Sequence, residues 1–290
     1  MKPAPFDYFA PTSVDEVRDL LNRYGDDAKI LAGGQSLIPV MALRLAQPSV
    51  LIDINGVREL DYIRDDASGG LAIGAITRHR AVERSPLVQQ KAPLLASSLE
   101  WVGHPQIRNR GTIGGSLAHA DPAAELPALA VAIDATFTVT NAGGASRTLQ
   151  AGDFFVSYLT TALAGDDLLS EIYFPSLPAG AGWSFQEVAR RHGDFALVGV
   201  AAVVGLGDPG TCSHVRVALF GVAPTAVRSP GAEQALLGQK PDEQAIAAAA
   251  AAIANDIEPP ADVHASAAYR MYVATNLVRK ALTEAAQRAR

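Results

Sequence analysis

Two short stretches could do chemistry with their backbone: Gly33-Gly34-Gln35-Ser36 and Gly114-Gly115-Ser116. Each pairs glycines with a following hydroxyl and carries no charge. Glycine reaches positive φ and puts no Cβ in the way of a close approach. Successive peptide N–H groups can then converge on an anion, and a helix starting after the turn adds a favourable field. If the two stretches meet, they form a cradle for a diphosphate. The plainer alternative is a pair of ordinary tight turns, since Gly-Gly is common loop punctuation. Neither stretch is Gly-x-Gly-x-x-Gly, which disfavours a Rossmann dinucleotide site. Neither is followed by Lys-Ser/Thr in P-loop spacing, which excludes a P-loop.

The elements that must position these stretches follow from patterning. Ser13 with Glu16 reads as a capping box opening a helix that ends at Gly25. An apolar run, Ile30 to Ala32, leads into the first glycine stretch, a helical pattern over 37–46, and a buried strand over 50–54. Helix, strand, glycine turn, helix and strand in that order predict a small parallel α/β unit over 1–57. Residues 60–64 and 71–75 read as strands, and 77–83 and 93–102 as helices. The second glycine stretch reads as a turn. Asp121-Pro122 then reads as a helix entry running to about Ile133. Strands are expected over 136–140 and 168–174, completing a second unit, 58–176. Pro175 to Gly182 is the strongest boundary in the chain. Beyond it, strands over 183–189, 197–204 and 215–220 precede helices over 242–254 and 265–288. That succession predicts an antiparallel sheet with helices on one face for 177–290.

Composition narrows the function classes. The 290 residues are 49% hydrophobic and 19% charged, an ordinary globular balance. A net charge of -6 argues against a polyanion surface such as nucleic acid. No run is long and apolar enough to span a bilayer, and the N-terminus has no secretory apolar core. Cys212 is the single cysteine, so neither an intrachain disulfide nor a cysteine-ligated iron–sulfur centre can form. A cytoplasmic location is the expectation. The 6 histidines have no metal-binding spacing, and no metal site is expected.

Leu31-Ala-Gly-Gly-Gln-Ser-Leu-Ile-Pro39, Thr112-Ile-Gly-Gly-Ser116 and Asp121-Pro122 together resemble the FAD-binding medium subunit of the molybdenum hydroxylases. That family includes the flavoprotein subunit of carbon monoxide dehydrogenase and the flavin domain of xanthine dehydrogenase. Phe6-Asp7-Tyr8, Asp53, Pro105-Gln106-Ile107-Arg108 and the stretch Arg190 to Ala196 extend the resemblance along nearly the whole chain. It implies an α+β fold: a two-subdomain FAD-binding unit of the vanillyl-alcohol-oxidase (PCMH) type, then a small antiparallel sheet with helices. It also implies that Ala32, Gly33, Gly34, Gln35, Ser36 and Leu37, with Thr112, Ile113, Gly114, Gly115 and Ser116, hold the diphosphate of FAD. By the same resemblance His119, Asp121 and Glu125 approach the cofactor, Leu168 or Leu169 lies against the flavin ring, and Asp194 sits near it. Each has a bland alternative: rim residue, helix cap, buried strand residue or solvated turn aspartate. Gln186 and Glu187 depart from the family, which often carries a lysine near the flavin there. Ser116 stands where asparagine is frequent, and His119 where small residues are.

The implied partners are a large molybdopterin subunit and a small subunit with two 2Fe-2S clusters, as a dimer of heterotrimers. The chain would take electrons onto FAD and pass them to an external acceptor. No NAD motif is visible, and the substrate lies outside this chain. Alternative readings are a stand-alone FAD oxidoreductase and a flavin-free binding scaffold.

Overall fold

The Ser13 hydroxyl accepts the Glu16 amide at 3.2 Å and opens helix α1 (Val14–Tyr24), as its pattern predicts. The Glu16 carboxylate reaches one residue further back than a capping box requires, to the Thr12 amide at 2.7 Å. In the computed structural model, which describes residues 2–290, α1 joins strands β1 (Asp7–Phe9) and β2 (Ala28–Leu31). Helix α2 (Leu37–Ala42) then leads to β3 (Val50–Asp53). The sheet order is β1-β3-β2, parallel throughout. Helix α2 ends four residues before the expected Ala46, and Arg44 beyond it turns with φ 60°.

The second unit begins with β4 (Ile63–Asp65) and β5 (Leu71–Gly74). Short helices follow: α3 (His79–Arg84), α4 (Pro86–Lys91), α5 (Pro93–Ser98), α6 (Pro105–Arg108), α7 (Ile113–His119) and α8 (Glu125–Ala132). It closes with β6 (Thr136–Asn141), β7 (Ser146–Gln150), α9 (Ala151–Phe154), β8 (Phe155–Ser157), β9 (Thr160–Thr161) and β10 (Asp167–Phe174). The main sheet is antiparallel, in the order β4-β5-β10-β6-β7. Adjacent residues of β10 face opposite ways: Leu168 joins the core of the first unit, and Leu169 the core of the second.

Two expectations are corrected here. Gly114 and Gly115 do not form a turn; they lie in the first turn of α7, capped by the Thr112 hydroxyl, which accepts the Gly115 amide at 3.1 Å. The helix expected from Asp121 starts at Glu125 instead. Asp121 closes a separate turn by accepting the Ala123 amide at 2.8 Å, so it does not cap α8.

The third unit contains β11 (Gly182–Ala189), β12 (Ala196–Gly207), β13 (Thr211–Phe220) and β14 (Val227–Arg228). Helices α10 (Pro230–Leu236), α11 (Glu243–Ala252) and α12 (Ala267–Arg288) cover one face of this antiparallel sheet. Along β12 the alternation is explicit. Val198, Val200, Ala202 and Val204 share a core with those helices, while Ala201 and Val203 share one with Leu126 and Leu129 of α8. All of α8 is buried, because apolar layers contact it on both sides. The boundary at Pro175 to Gly182 therefore separates two sheets without separating their cores. Among the described residues, no helix is long and apolar enough to cross a membrane.

Because α8 belongs to both layers, Leu129→Ala should lower the unfolding free energy by about 3 kcal/mol and leave one cooperative transition. Urea unfolding followed by circular dichroism checks this. A loss below about 1 kcal/mol, or a second transition, would contradict the shared core.

Candidate functional site

Gly33 packs tightly against the backbone that leads into the second glycine stretch. A Cβ there would lie 2.5 Å from the Arg110 carbonyl oxygen and 2.8 Å from the Gly111 Cα. A Cβ on Gly115 would stand 2.6 Å from the Thr112 hydroxyl and 3.4 Å from the Ala32 Cβ. Gly114 is seated on Ala75, whose Cβ would be 2.6 Å away. Only Gly34 needs its conformational freedom, at φ +72°. The stretches meet as the sequence suggests, and the reason is missing side chains more than unusual dihedrals.

Their hydrogen-bonding states differ. Among the described residues, the amides of Gly33, Gly34, Gln35 and Ser36 have no protein partner. The second stretch has spent its amides: Ile113 donates to the Thr77 carbonyl at 3.0 Å, Gly114 to Ala75 at 2.8 Å, and Ser116 to Thr112 at 3.1 Å. The free donors therefore sit on one stretch, and the other acts as the wall behind them.

A small network fixes this arrangement. Tyr8 donates to Asp53 at 2.6 Å, and the Asn55 amide nitrogen donates to the same carboxylate at 2.9 Å. The Asn55 side chain donates to the Ala32 carbonyl at 2.8 Å and accepts from Arg78 at 2.5 Å. Arg78 also donates to the Arg110 carbonyl, so Asn55 and Arg78 tie one stretch to the other. Buried His79 hydrogen-bonds through Nε2 to the Thr112 carbonyl at 2.9 Å, and its amide donates to the Gly111 carbonyl at 2.9 Å. Burial holds its ring down to about 4, so it is neutral at pH 7.

A cavity of about 310 Å³ opens on the first stretch. Its lining includes Ala32, Gly33, Gly34, Gln35, Asn55 and Arg110. Burial, together with the neighbouring charge of Arg110, lowers the pKa of Arg78. The Arg110 guanidinium and the free amides of Gly33, Gly34 and Gln35 make this cavity suited to a small polyanion. Ser36, Leu37 and the residues Thr112 to Ser116 do not line it. Ser116 and His119 follow one turn apart on α7, both half-buried.

A second cavity, of about 240 Å³, is lined by Trp101, Glu187, Val188, Ala189, Arg191 and His192. The Trp101 and His192 rings stack with centroids 5.7 Å apart. Gln186 and Glu187 point to opposite faces of β11. Gln186 donates to Glu284 at 2.7 Å and to Ser184 at 3.1 Å, on the α12 side. Glu187 is buried and lines the second cavity. Burial pushes Glu125 up to about 7, and burial with the charge of Glu125 pushes Glu187 up to about 8. Asp194 lies half-buried in the turn closed by its amide on the Arg191 carbonyl, outside the cavity lining. Leu168 and Leu169 are core residues and line neither cavity.

Two segments run from one cavity to the other. Trp101 lines the second and Arg110 the first. Likewise Gly115 sits against Ala32, while the charge of Glu125 reaches Glu187 and raises its pKa. Sequence reasoning missed Asn55, Arg78, His79 and Arg110. Arg110 stands two residues before Thr112 and was legible as a cation beside the glycines; the other three act through tertiary contact.

Residues 4–177 match the family described as FAD binding domain in molybdopterin dehydrogenase. Residues 183–285 match that described as CO dehydrogenase flavoprotein C-terminal domain. The chain is 44% identical over 290 residues to the 6-hydroxypseudooxynicotine dehydrogenase complex subunit alpha of Paenarthrobacter nicotinovorans, covering 100% of this chain and 97% of that one. It is 42% identical over 285 residues to the carbon monoxide dehydrogenase medium chain of Hydrogenophaga pseudoflava, covering 98% of each. A solved carbon monoxide dehydrogenase from that organism superposes with TM-score 0.96 at 44% identity over 100% of both chains. Quinoline 2-oxidoreductase from Pseudomonas putida 86 gives TM-score 0.94 at 39% identity over 99% of both.

The depressed His79 pKa carries a stability consequence. Below pH 6.5 the unfolded chain protonates this ring while the folded one does not until about pH 4, so stability falls as pH drops across that window. His79→Gln keeps a donor for Thr112 and should remove about 3 kcal/mol of the acid-side loss. Denaturant titrations at pH 7 and pH 4 test it; parallel pH profiles for parent and variant would contradict it.

Proposed function

Because the chain belongs to the FAD-binding medium subunits of the molybdenum hydroxylase family, we propose that it holds FAD across the two cavities and relays electrons through it. The donor is a 2Fe-2S cluster of a small partner subunit, and the acceptor is external to the complex. The observation that carries this reading is the row of unpartnered amides, Gly33 to Ser36, packed against the backbone of Arg110 and Gly111. The chain is an oxidoreductase subunit, like its dehydrogenase relatives, and its family cofactor is FAD.

The residues fit that cofactor. The amides of 33–36 and the Arg110 guanidinium suit a diphosphate, and Gly115 of α7 stands against Ala32 beside them. The stacked Trp101 and His192 give the second cavity a flat aromatic wall suited to a planar ring. His119, Asp121 and Glu125 lie on the segment joining the cavities, and Asp194 on the turn beside the second. Leu168 and Leu169 are core residues of the two adjoining units. Bound FAD supplies a centre that exchanges electrons singly or in pairs. The protein places it, neutralises its phosphates and screens the ring from water.

Cys212, the one cysteine, cannot ligate a cluster, which supports electron supply from a partner. The molybdenum site belongs to a large subunit, and the assembly is a dimer of heterotrimers in the cytoplasm. Relatives of nearly equal identity are named for 6-hydroxypseudooxynicotine and for carbon monoxide, so this chain does not fix the substrate.

The test is flavin titration. The parent chain should bind FAD with matching visible absorbance. Gly33→Ala must shift the Arg110 carbonyl and should weaken binding at least about tenfold with the circular dichroism spectrum unchanged. A colourless parent, or a Gly33→Ala chain that binds like the parent, would overturn the reading. Turnover by the isolated chain would instead favour a stand-alone oxidoreductase.

A further inference from the structure

The loop 190–195 joins β11 to β12 and supplies Arg191 and His192 to the lining of the second cavity. His192 stacks on Trp101 with ring centroids 5.7 Å apart. The loop does little to hold its own shape. Among the described residues its one internal backbone bond is the Asp194 amide on the Arg191 carbonyl, at 3.1 Å. Gly193 turns at φ +87°, where a Cβ would meet the His104 Cε1 at 2.7 Å, so the loop sits on the segment just after Trp101. Its two ends are fixed from α12. Arg270, near the start of that helix, is 4% exposed. Its Nη1 donates to the carbonyl of Leu197, two residues past the loop, and to that of Gly221 at 3.0 Å. Its Nη2 donates to Asp262 at 2.7 Å. The other Asp262 oxygen accepts the amides of His264 at 2.8 Å and Ala265 at 2.9 Å. The His264 Nδ1 in turn accepts from Arg190, the first residue of the loop, at 2.9 Å. One buried guanidinium thus reaches both ends of the loop: Leu197 directly, and Arg190 through Asp262 and His264. Gly221 extends the hold to the second unit, because its amide donates to the Pro122 carbonyl at 2.8 Å. A buried charge whose carboxylate partner is 42% exposed is a costly way to stabilise a helix, and a well-packed apolar side chain would serve as well. Holding two carbonyls and a carboxylate at once requires the fixed donor fork of arginine.

We propose that Arg270 is a positioning residue that clamps the loop 190–195 at both ends and so sets the Trp101–His192 wall at the ring end of the cofactor cleft. Its bearing on the ring rests on the proposed FAD reading; the clamp itself does not. Leu197 is the inner arm, and Asp262 with His264 the outer one. Arg270 lines neither cavity and touches no reacting atom.

Trp101 reports the clamp without flavin. In a Trp183→Phe chain, which serves as parent here, it is the only tryptophan. Acrylamide should quench it about twofold more steeply in Arg270→Met, and Arg270→Lys should restore part of the difference. His264→Ala removes only the exposed outer arm; it should steepen quenching in the same direction at an unchanged melting temperature. An arginine that served α12 alone would lower the melting temperature and leave Trp101 as in the parent. In the FAD-loaded protein, His264→Ala should alter the visible circular dichroism of the bound flavin while the Kd for FAD stays within about threefold, because the amides of 33–36 are untouched. Parental quenching in His264→Ala, or in a folded Arg270→Met, overturns the clamp; where Arg270→Met does not fold, His264→Ala decides. Altered quenching with an unchanged flavin spectrum, in proteins that bind FAD, overturns the link from loop to ring. A parent that binds no FAD overturns the functional reading and leaves the clamp to the quenching result.

Discussion

The absence of a Cβ at Gly33 is the constraint on which the rest depends. With 2.5 Å from that position to the Arg110 carbonyl oxygen, any side chain would push the two glycine stretches apart. Their contact leaves four successive amides without protein partners, although unpaired polar backbone is normally costly away from water. Such donors persist where a ligand or solvent takes the other half of the bond. Asn55, Arg78 and His79 keep the arrangement rigid by holding the carbonyls of Ala32, Arg110 and Thr112. These bonds are made within the protein itself and hold the two stretches together.

The two cavities divide the work by chemistry. One offers amides and a guanidinium; the other offers an aromatic wall and a carboxyl. The segments 101–110 and 115–125 set the spacing between them. Helix α8, buried on every side, packs the second unit against β12, so the core runs unbroken past the Pro175 to Gly182 boundary.

Periodic elements were legible in the sequence. The capped helix α1, the parallel sheet of the first unit, the long α12 and the strand at β12 all follow from local pattern. Strands β1 and β9, three and two residues long, were not, because alternation needs more length. Gly114-Gly115 misled because glycine pairs favour turns by propensity, yet here the Thr112 cap and the contact with Ala75 hold them helical. Asp121 misled in the opposite direction, since Asp-Pro mimics a helix start. The glycine stretches themselves were legible; the four free amides on only one of them were not, because hydrogen-bond partners such as Thr77 and Ala75 lie across the fold. Strand parity separated Gln186 from Glu187 only once the packing faces of β11 were known.

The most direct test of the central claim is amide hydrogen exchange with and without FAD. FAD should slow exchange at Gly33, Gly34, Gln35 and Ser36, the amides with no protein partner. Ile113 and Gly114, already bonded to Thr77 and Ala75, should be slow in both states. Unchanged exchange at 33–36 on saturation with FAD would contradict it.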